Sequence, residues 1–217
     1  MKKTILCLAG LLAASASTQA TVTLDFLADR LRTADNTPIP QNALILIVAD
    51  TSNNGFSQVS NGASLSINSL LGGGDDRIVG RFNLSVWATD GVFQTPPSIF
   101  DLDSVTGWNE GDGLALYWFP TLTLASDQAV AGTSYGAFTG PVGSSGESWV
   151  TPSNTSSSQY TFFTTTGSDL GPGAFPSSQG QALLTVVPEG SPAVLALAGL
   201  LGLCLRRRGS RQLANRS

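Results

Sequence analysis

The chain of 217 residues contains no histidine, only two cysteines, and a single methionine at position 1. The absence of histidine excludes Ser-His and Cys-His nucleophiles and any imidazole metal site. Both cysteines, Cys7 and Cys204, lie in terminal segments that we expect to be removed. The mature chain would then hold no disulfide bond, and its stability must come from its core.

Basic residues are scarce between the two ends. Residues 21–187 contain four arginines against fourteen aspartates and glutamates, which is a formal charge of −10. We call residues 21–187 the body of the protein. A body of this charge repels phosphate backbones, so nucleic acid is not an expected partner. The same charge favours the binding of cations. The 167 residues of this segment suit one domain with a sizeable core.

The first 20 residues have the three parts of a secretory signal peptide. Lys2 and Lys3 form the positive region, residues 5–14 are apolar, and a stretch of small residues follows. This pattern predicts a signal helix over residues 1–20, cut by signal peptidase between Ala20 and Thr21. We therefore expect the protein to be exported.

The C-terminal end also has three parts in a fixed order. The segment Val187-Pro188-Glu189-Gly190 comes first, and residues 193–205 form an uncharged, mostly apolar stretch. The basic residues that follow directly are Arg206, Arg207, Arg208 and Arg211. Thirteen helical residues span about 20 Å, against a hydrocarbon core of about 30 Å. A transmembrane helix of this length is marginal as a permanent anchor but adequate as a transient one, with the arginines on the cytoplasmic side.

This tail resembles the PEP-CTERM sorting signal of Gram-negative bacteria. Val187, Pro188 and Glu189 match the family motif, and Gly190 stands where the family has a second proline. The resemblance covers residues 187 to about 211. It implies cleavage by an exosortase-like enzyme, with residues 188–217 as the sorting tail. It also implies a cell-surface or matrix protein, structural or adhesive in exopolysaccharide or biofilm.

Residues 21–187 show the periodicity of strands and no convincing helical pattern. Alternating runs predict half-buried strands, whereas two continuously apolar runs predict central strands covered on both sides. The predicted strands are residues 21–26, 43–49, 64–70, 81–87, 113–119, 160–166 and 181–187. With turn residues between them, they indicate an all-β, antiparallel β-sandwich of the jelly-roll or Ig-like kind. The pattern also fits a closed barrel.

A turn after the second predicted strand resembles the first half of a calcium loop. It places oxygen-bearing side chains at alternate positions before a glycine. The twelfth position is Asn61 instead of a bidentate glutamate, which excludes an EF-hand. A looser calcium site would use Asp50, Ser52, Asn54, Asp75 and Asp76. The competing interpretation is a plain turn that ends a strand, and calcium is the single cofactor we consider.

Two other activities compete with a structural role, although we expect no catalytic residue. Glu110 and Asp112 would lie about 7 Å apart on an extended backbone, as in a carboxylate-based glycoside hydrolase. The neighbouring glycines favour a turn instead. An exposed face on the strand Tyr117-Trp118-Phe119 would suit a carbohydrate-binding module. Alternation sends Trp118 opposite to its two neighbours, so we expect that both faces belong to the core.

Overall fold

The computed structural model describes residues 20–29, 31–72, 74–84, 91–139, 149–163 and 180–186. In these segments the chain forms nine β-strands and one short 3-10 helix, with no α-helix. The elements are β1 (Thr21–Asp29), β2 (Leu44–Asp50), β3 (Asp76–Asn83), β4 (Phe93–Gln94), β5 (Ser98–Asp101), the 3-10 helix Leu102–Ser104, β6 (Gly113–Phe119), β7 (Ser134–Phe138), β8 (Ser157–Phe163) and β9 (Leu184–Thr185).

The larger sheet has five antiparallel strands in the order β3-β2-β6-β7-β9. Its two central strands are the continuously apolar runs of the sequence. Every residue of β2 is buried, as are all residues of β6 after Gly113. The sequence prediction for β6 has the same limits as the observed strand, and that for β2 is one residue early. Both predicted strands are confirmed. The sequence pattern identifies them because a strand covered on both faces has no polar side to interrupt its apolar run.

The smaller sheet is built around β1. Strands β4 and β5 pair with β1 in antiparallel fashion, and β8 pairs with it in parallel over seven residue pairs. The predicted antiparallel arrangement is therefore confirmed for the larger sheet and for the pairs of β1 with β4 and β5, and it is wrong at the β1–β8 pair. Parallel neighbours require a long crossover connection. The chain supplies one here, because most of the larger sheet is formed between β1 and β8.

An inner core joins the two sheets face to face, which makes the fold sandwich-like. Alternate residues of β1, β2 and β6 point into it, and aromatic rings fill its centre. Phe26 stacks on Tyr160 with ring centroids 5.3 Å apart, and it contacts Trp149 at 5.9 Å. The strand residues of the inner core are Val22, Leu24, Phe26, Ala28, Ile45, Ile47, Ala49, Val79, Phe93, Leu114, Leu116, Trp118, Phe138 and Tyr160.

An outer core covers the opposite face of the larger sheet. The remaining residues of β2 and β6 point into it, and the loop between β2 and β3 closes it from outside. The backbone N–H of Val59 donates to Tyr135 Oη at 3.2 Å, which holds this loop to β7. The buried residues of the outer core are Leu44, Leu46, Val48, Val59, Leu65, Leu71, Ile78, Ala115, Tyr117, Phe119, Ala129, Tyr135 and Val186.

The predicted strand over residues 64–70 is wrong. Leu65 is buried in the outer core, but Ile67 is 55% exposed and Asn68 has a φ of 66°. The segment therefore forms turns that hold Leu65 over the sheet. The alternation that suggested a strand came from a loop with one buried apolar side chain.

Other strands differ from the predictions in their limits. Strand β3 begins at Asp76 instead of residue 81, and residues 85–87 lie outside the described part of the chain. Strand β8 begins at Ser157 instead of residue 160, and residues 164–166 lie outside the described part. Strand β9 is only Leu184–Thr185. Strands β4, β5 and β7 are not predicted, because they are short and lack a regular alternation.

Candidate functional site

Four aspartates lie where β2, β3 and β6 meet at one end of the larger sheet. Asp50 is the last residue of β2 and faces Asp76, the first residue of β3, across the ladder. On its other side Asp50 faces Gly113, which follows Asp112. The antiparallel register thus brings together carboxylates that are far apart in the chain. We call Asp50, Asp75, Asp76 and Asp112 the acidic end of the sheet.

Asp50 organises its own loop. Its Oδ1 accepts hydrogen bonds from the N–H groups of Ser52 at 3.2 Å and Asn54 at 3.3 Å. Its Oδ2 accepts from the N–H of Gly55 at 2.7 Å. Asn53 and Gly55 have positive φ values of 53° and 99° in the turn. The Asp50 carboxylate, 3% exposed, therefore uses acceptor capacity on both oxygens to bind the backbone that follows it.

Asp76 is the most buried carboxylate of the group, with 1% of its surface exposed. Its Oδ2 accepts from the N–H of Ser57 at 2.7 Å. Its Oδ1 and the Oδ2 of Asp75 are buried and have no hydrogen-bond partner among the described residues. Burial raises the pKa of Asp76, and repulsion from Asp75 and Asp50 adds to this, against hydrogen bonds from Ser57 that lower it.

Asp112 ties the β2–β3 loop to the turn before β6. Its Oδ1 accepts from Asn53 Nδ2 at 3.2 Å, and its Oδ2 accepts from the N–H of Asn109 at 2.7 Å. The Oδ1 of Asn53 in turn accepts from the N–H of Gly113 at 3.0 Å. No local pattern groups Asp112 with the calcium candidates, since only the pairing of β6 with β2 brings it there. Its position directly before an apolar run was the one available signal.

Of the predicted calcium ligands, Asp50, Asp75 and Asp76 lie at the acidic end of the sheet. Ser52 and Asn54 are exposed in the loop after β2, where their N–H groups donate to Asp50. Within the described segments, no group of three or more aspartates, glutamates or cysteines has an arrangement that could hold a metal ion. Calcium binding stays a prediction, and the electrostatics of Asp76 supply its test.

Replacing Asp76 with asparagine is expected to stabilise the calcium-free protein at pH 7, raising Tm by about 3 °C. The carboxyl titrates near its ordinary value of 3.8 when unfolded and at higher pH when folded. The stability that protonated Asp76 contributes is therefore present below pH 3.8 and is lost as pH rises through the raised pKa. The gain from asparagine should shrink as pH falls toward 4 and vanish below it.

The measurement is thermal unfolding in a chelator from pH 3 to pH 8, followed by a calcium titration at pH 7. Exposed Asp127 supplies the matched control, Asp127→Asn, which should leave Tm unchanged. If calcium binds at the acidic end, calcium of about 5 mM raises the Tm of the wild type and not that of Asp76→Asn. A lower Tm for Asp76→Asn in chelator at pH 7 would contradict the role we give to the buried charge.

The two carboxylates considered for glycoside hydrolysis lie in the turn before β6. Glu110 Oε2 accepts from the N–H of Asn154 at 3.2 Å, and Gly111 has a φ of 85°. Asp112 is 4% exposed and binds the partners described above. Each carboxylate therefore holds a different part of the backbone, Glu110 at the surface and Asp112 inside.

The aromatic side chains considered as a sugar platform belong to the two cores. Trp118 is fully buried in the inner core, and Trp108 and Trp149 are 3% and 4% exposed. Tyr117 and Phe119 lie in the outer core, where both stack on Tyr135. The expectation that both faces of this strand belong to the core is confirmed. Trp87 lies outside the described residues.

The processing signals fall mostly outside the described part of the chain. This holds for the Val187–Gly190 motif and for Arg206, Arg207, Arg208 and Arg211. Ala20 and Thr21 are described: the N–H of Thr21 donates to Asn154 Oδ1 at 2.9 Å, and the carbonyl of Ala20 accepts from Leu102. Among the residues with described coordinates, no helix has the length and apolar character needed to cross a membrane.

Comparison with known proteins does not assign the chain to a group. No protein-family model matches it, and neither curated proteins nor solved structures yield a match.

Proposed function

We propose that this is an exported, non-enzymatic protein of the cell surface or extracellular matrix, with a structural or adhesive role in exopolysaccharide or biofilm. Signal peptidase removes residues 1–20 after export. The apolar helix over residues 193–205 holds the chain briefly in the inner membrane, with the arginine cluster on the cytoplasmic side. An exosortase-like enzyme then cuts at the Val187–Gly190 motif and releases the acidic body.

The observation that carries this proposal is the position of the two predicted cuts relative to the described strands. Strand β1 begins at Thr21, the first residue after the expected signal cleavage. At the other end Val186 is 1% exposed, its N–H donates to the carbonyl of Thr133, and its carbonyl accepts from Gly132, both at 2.9 Å. The next residue is the first of the motif. Cuts at both predicted places would therefore leave all the described strands whole. Of the described residues they would remove only Ala20, which packs against the edge of the inner core and accepts a hydrogen bond from the N–H of Leu102.

We further propose that the sandwich is of the jelly-roll or Ig-like kind, with helices over residues 1–20 and 193–205. The two-sheet arrangement supports a sandwich. The parallel β1–β8 pair must then arise from the long excursion of the chain through the larger sheet.

The motif is tested by the double variant Pro188→Ala/Glu189→Ala in the native host. We expect the variant to keep its tail and to stay in the membrane fraction, with at least about tenfold less protein in the medium than for the wild type. We expect this because the enzyme would no longer cut the chain before the apolar helix over residues 193–205, which would then keep the variant in the membrane. Immunoblots of each fraction with an antibody against the body provide the measurement.

The matched control is Gln212→Ala/Asn215→Ala, two polar substitutions beyond the arginine cluster. This control should be released like the wild type. Equal release of the motif variant and the wild type would refute processing at Val187–Gly190.

A further inference from the structure

A polar groove lies on the outer face of the smaller sheet, where β1 and β8 run in parallel. Thr23 is in register with Ser157, and Asp25 with Gln159. These side chains point away from the inner core, because their neighbours Val22, Leu24 and Phe26 are buried in it. The groove has a volume of about 270 Å³ and is lined by Thr23, Asp25, Pro97, Ser157, Ser158 and Gln159.

Asp25 and Gln159 form the polar centre of this groove. Gln159 Nε2 donates to Asp25 Oδ2 at 2.6 Å, which fixes the carboxylate between the two strands. Asp25 Oδ1 is buried and has no hydrogen-bond partner among the described residues, so it is out of reach of a ligand. The accessible acceptor is Oδ2, which keeps a second lone pair beside its exposed hydrogen bond with Gln159. Hydrogen bonds to an ionised acceptor are about twice as strong as neutral ones. The groove therefore offers an acceptor suited to a ligand hydroxyl, with an amide beside it.

Apolar surface adjoins these polar groups. Pro97 lines the groove on the side away from β8. Ile99 is paired with Thr23 across β1 and β5 and is 78% exposed, the largest exposed fraction among the large apolar residues described. A rigid ring next to hydroxyl, amide and carboxylate groups is the combination that binds a sugar, whose C–H face is apolar and whose edge carries hydroxyls.

The charge of the groove narrows the class of sugar. Its single ionisable side chain is Asp25, and the whole body carries a formal charge of −10. An anionic uronic acid would be repelled by both. A calcium ion would require six to eight oxygen ligands, and one carboxylate is too few to favour it. The volume, just below the range of about 300–1,000 Å³ for drug-sized ligands, suits a single sugar ring.

We propose that the β1–β8 groove binds one residue of a neutral polysaccharide, with Asp25 and Gln159 accepting and donating hydrogen bonds to its hydroxyls. The inference rests on the proposed function, since a matrix polysaccharide is within reach only of an exported protein. It places the sugar contact on an outer sheet face built of short polar side chains, away from the aromatic strand that the sequence suggested.

The test is saturation-transfer difference NMR on the full chain, purified in a detergent without a sugar head group. The probes are cellotetraose, maltotetraose and the anionic tetragalacturonate. We expect a neutral probe to bind with a Kd of about 1 mM and tetragalacturonate to bind at least about tenfold more weakly. Asp25→Asn should weaken binding about tenfold because it removes the ionised acceptor. Asp127→Asn, the same substitution at an exposed site elsewhere, should bind like the wild type.

Three results would overturn the groove assignment: no binding by either neutral probe, equal affinity of Asp25→Asn and the wild type, or equal affinity for tetragalacturonate. Thermal unfolding of each variant shows that a loss of binding is not a loss of folding. The outcome is separable from that of the proposed function. Retained sugar binding with failed processing overturns only the export route, and correct processing without sugar binding overturns only the groove.

Discussion

Replacing Gly136 with alanine is expected to lower the free energy of unfolding by about 3 kcal/mol, a large part of the 5–15 kcal/mol typical of a domain. Gly136 lies in β7 directly opposite Trp118 of β6. A Cβ at this position would lie 2.0 Å from the Cε2 and Cζ2 atoms of the Trp118 indole. The indole has no room to move, because Trp118 is fully buried and its ring N–H donates to the carbonyl of Arg32 at 3.2 Å.

The measurement is chemical unfolding followed by tryptophan fluorescence. Gly113→Ala is the matched control, because Gly113 also lies in a strand and its added Cβ would meet only ordinary contacts of 3.6–3.8 Å. We expect a change of less than about 1 kcal/mol there. Trp118→Phe combined with Gly136→Ala should regain part of the loss, since the smaller ring leaves space over β7. A Gly136→Ala protein as stable as Gly113→Ala would show that Trp118 does not cover Gly136.

Replacing Asp50 with alanine is expected to lower the free energy of unfolding by about 3 kcal/mol. The carboxylate accepts from three backbone N–H groups of the loop after β2, and alanine would leave all three without this acceptor. The loop also closes the outer core through Phe56 and Val59, so its loosening would expose apolar surface. Relief of the repulsion between Asp50 and Asp76 offsets part of the loss.

Asp50→Asn separates the hydrogen bonds from the charge. Asparagine keeps one acceptor oxygen and should lose less than half as much stability as alanine. Asp127→Ala, at an exposed position, should change the free energy by no more than about 0.5 kcal/mol. Urea unfolding at pH 7 in a chelator compares the four proteins. If Asp50→Ala unfolds at the same urea concentration as Asp127→Ala, the loop does not depend on this carboxylate.

The parts of the fold that were predicted from the sequence are those determined by local pattern. The apolar runs of β2 and β6 identify the central strands, and alternation correctly places Trp118 in one core and Tyr117 in the other. Residues 64–70 show the limit of this reasoning. A loop with one side chain buried in a core shows the same short alternation of apolar and polar residues as a strand. The chain reverses in this loop at Asn68, which has a positive φ.

The candidate sites depend on long-range register, which no local pattern contains. The looser calcium site names Asp75 and Asp76 beside Asp50 without a pairing that would bring them there, and it is the antiparallel pairing of β2 with β3 that places Asp76 opposite Asp50. Asp112 joins them only because β6 inserts beside β2. The pairing of Asp25 with Gln159 has the same origin, since these residues are 134 positions apart and meet through the parallel β1–β8 pair.

The central claim is that the two ends are removed from a β-domain that remains folded, and intact mass tests it most directly. The protein is recovered from the cytosolic, membrane and extracellular fractions of native cells, and the intact mass of each form is measured by mass spectrometry. The account predicts an extracellular form that begins at Thr21 and ends within Val187–Gly190. Recovery of all 217 residues, intact and confined to the cytosol, would contradict it.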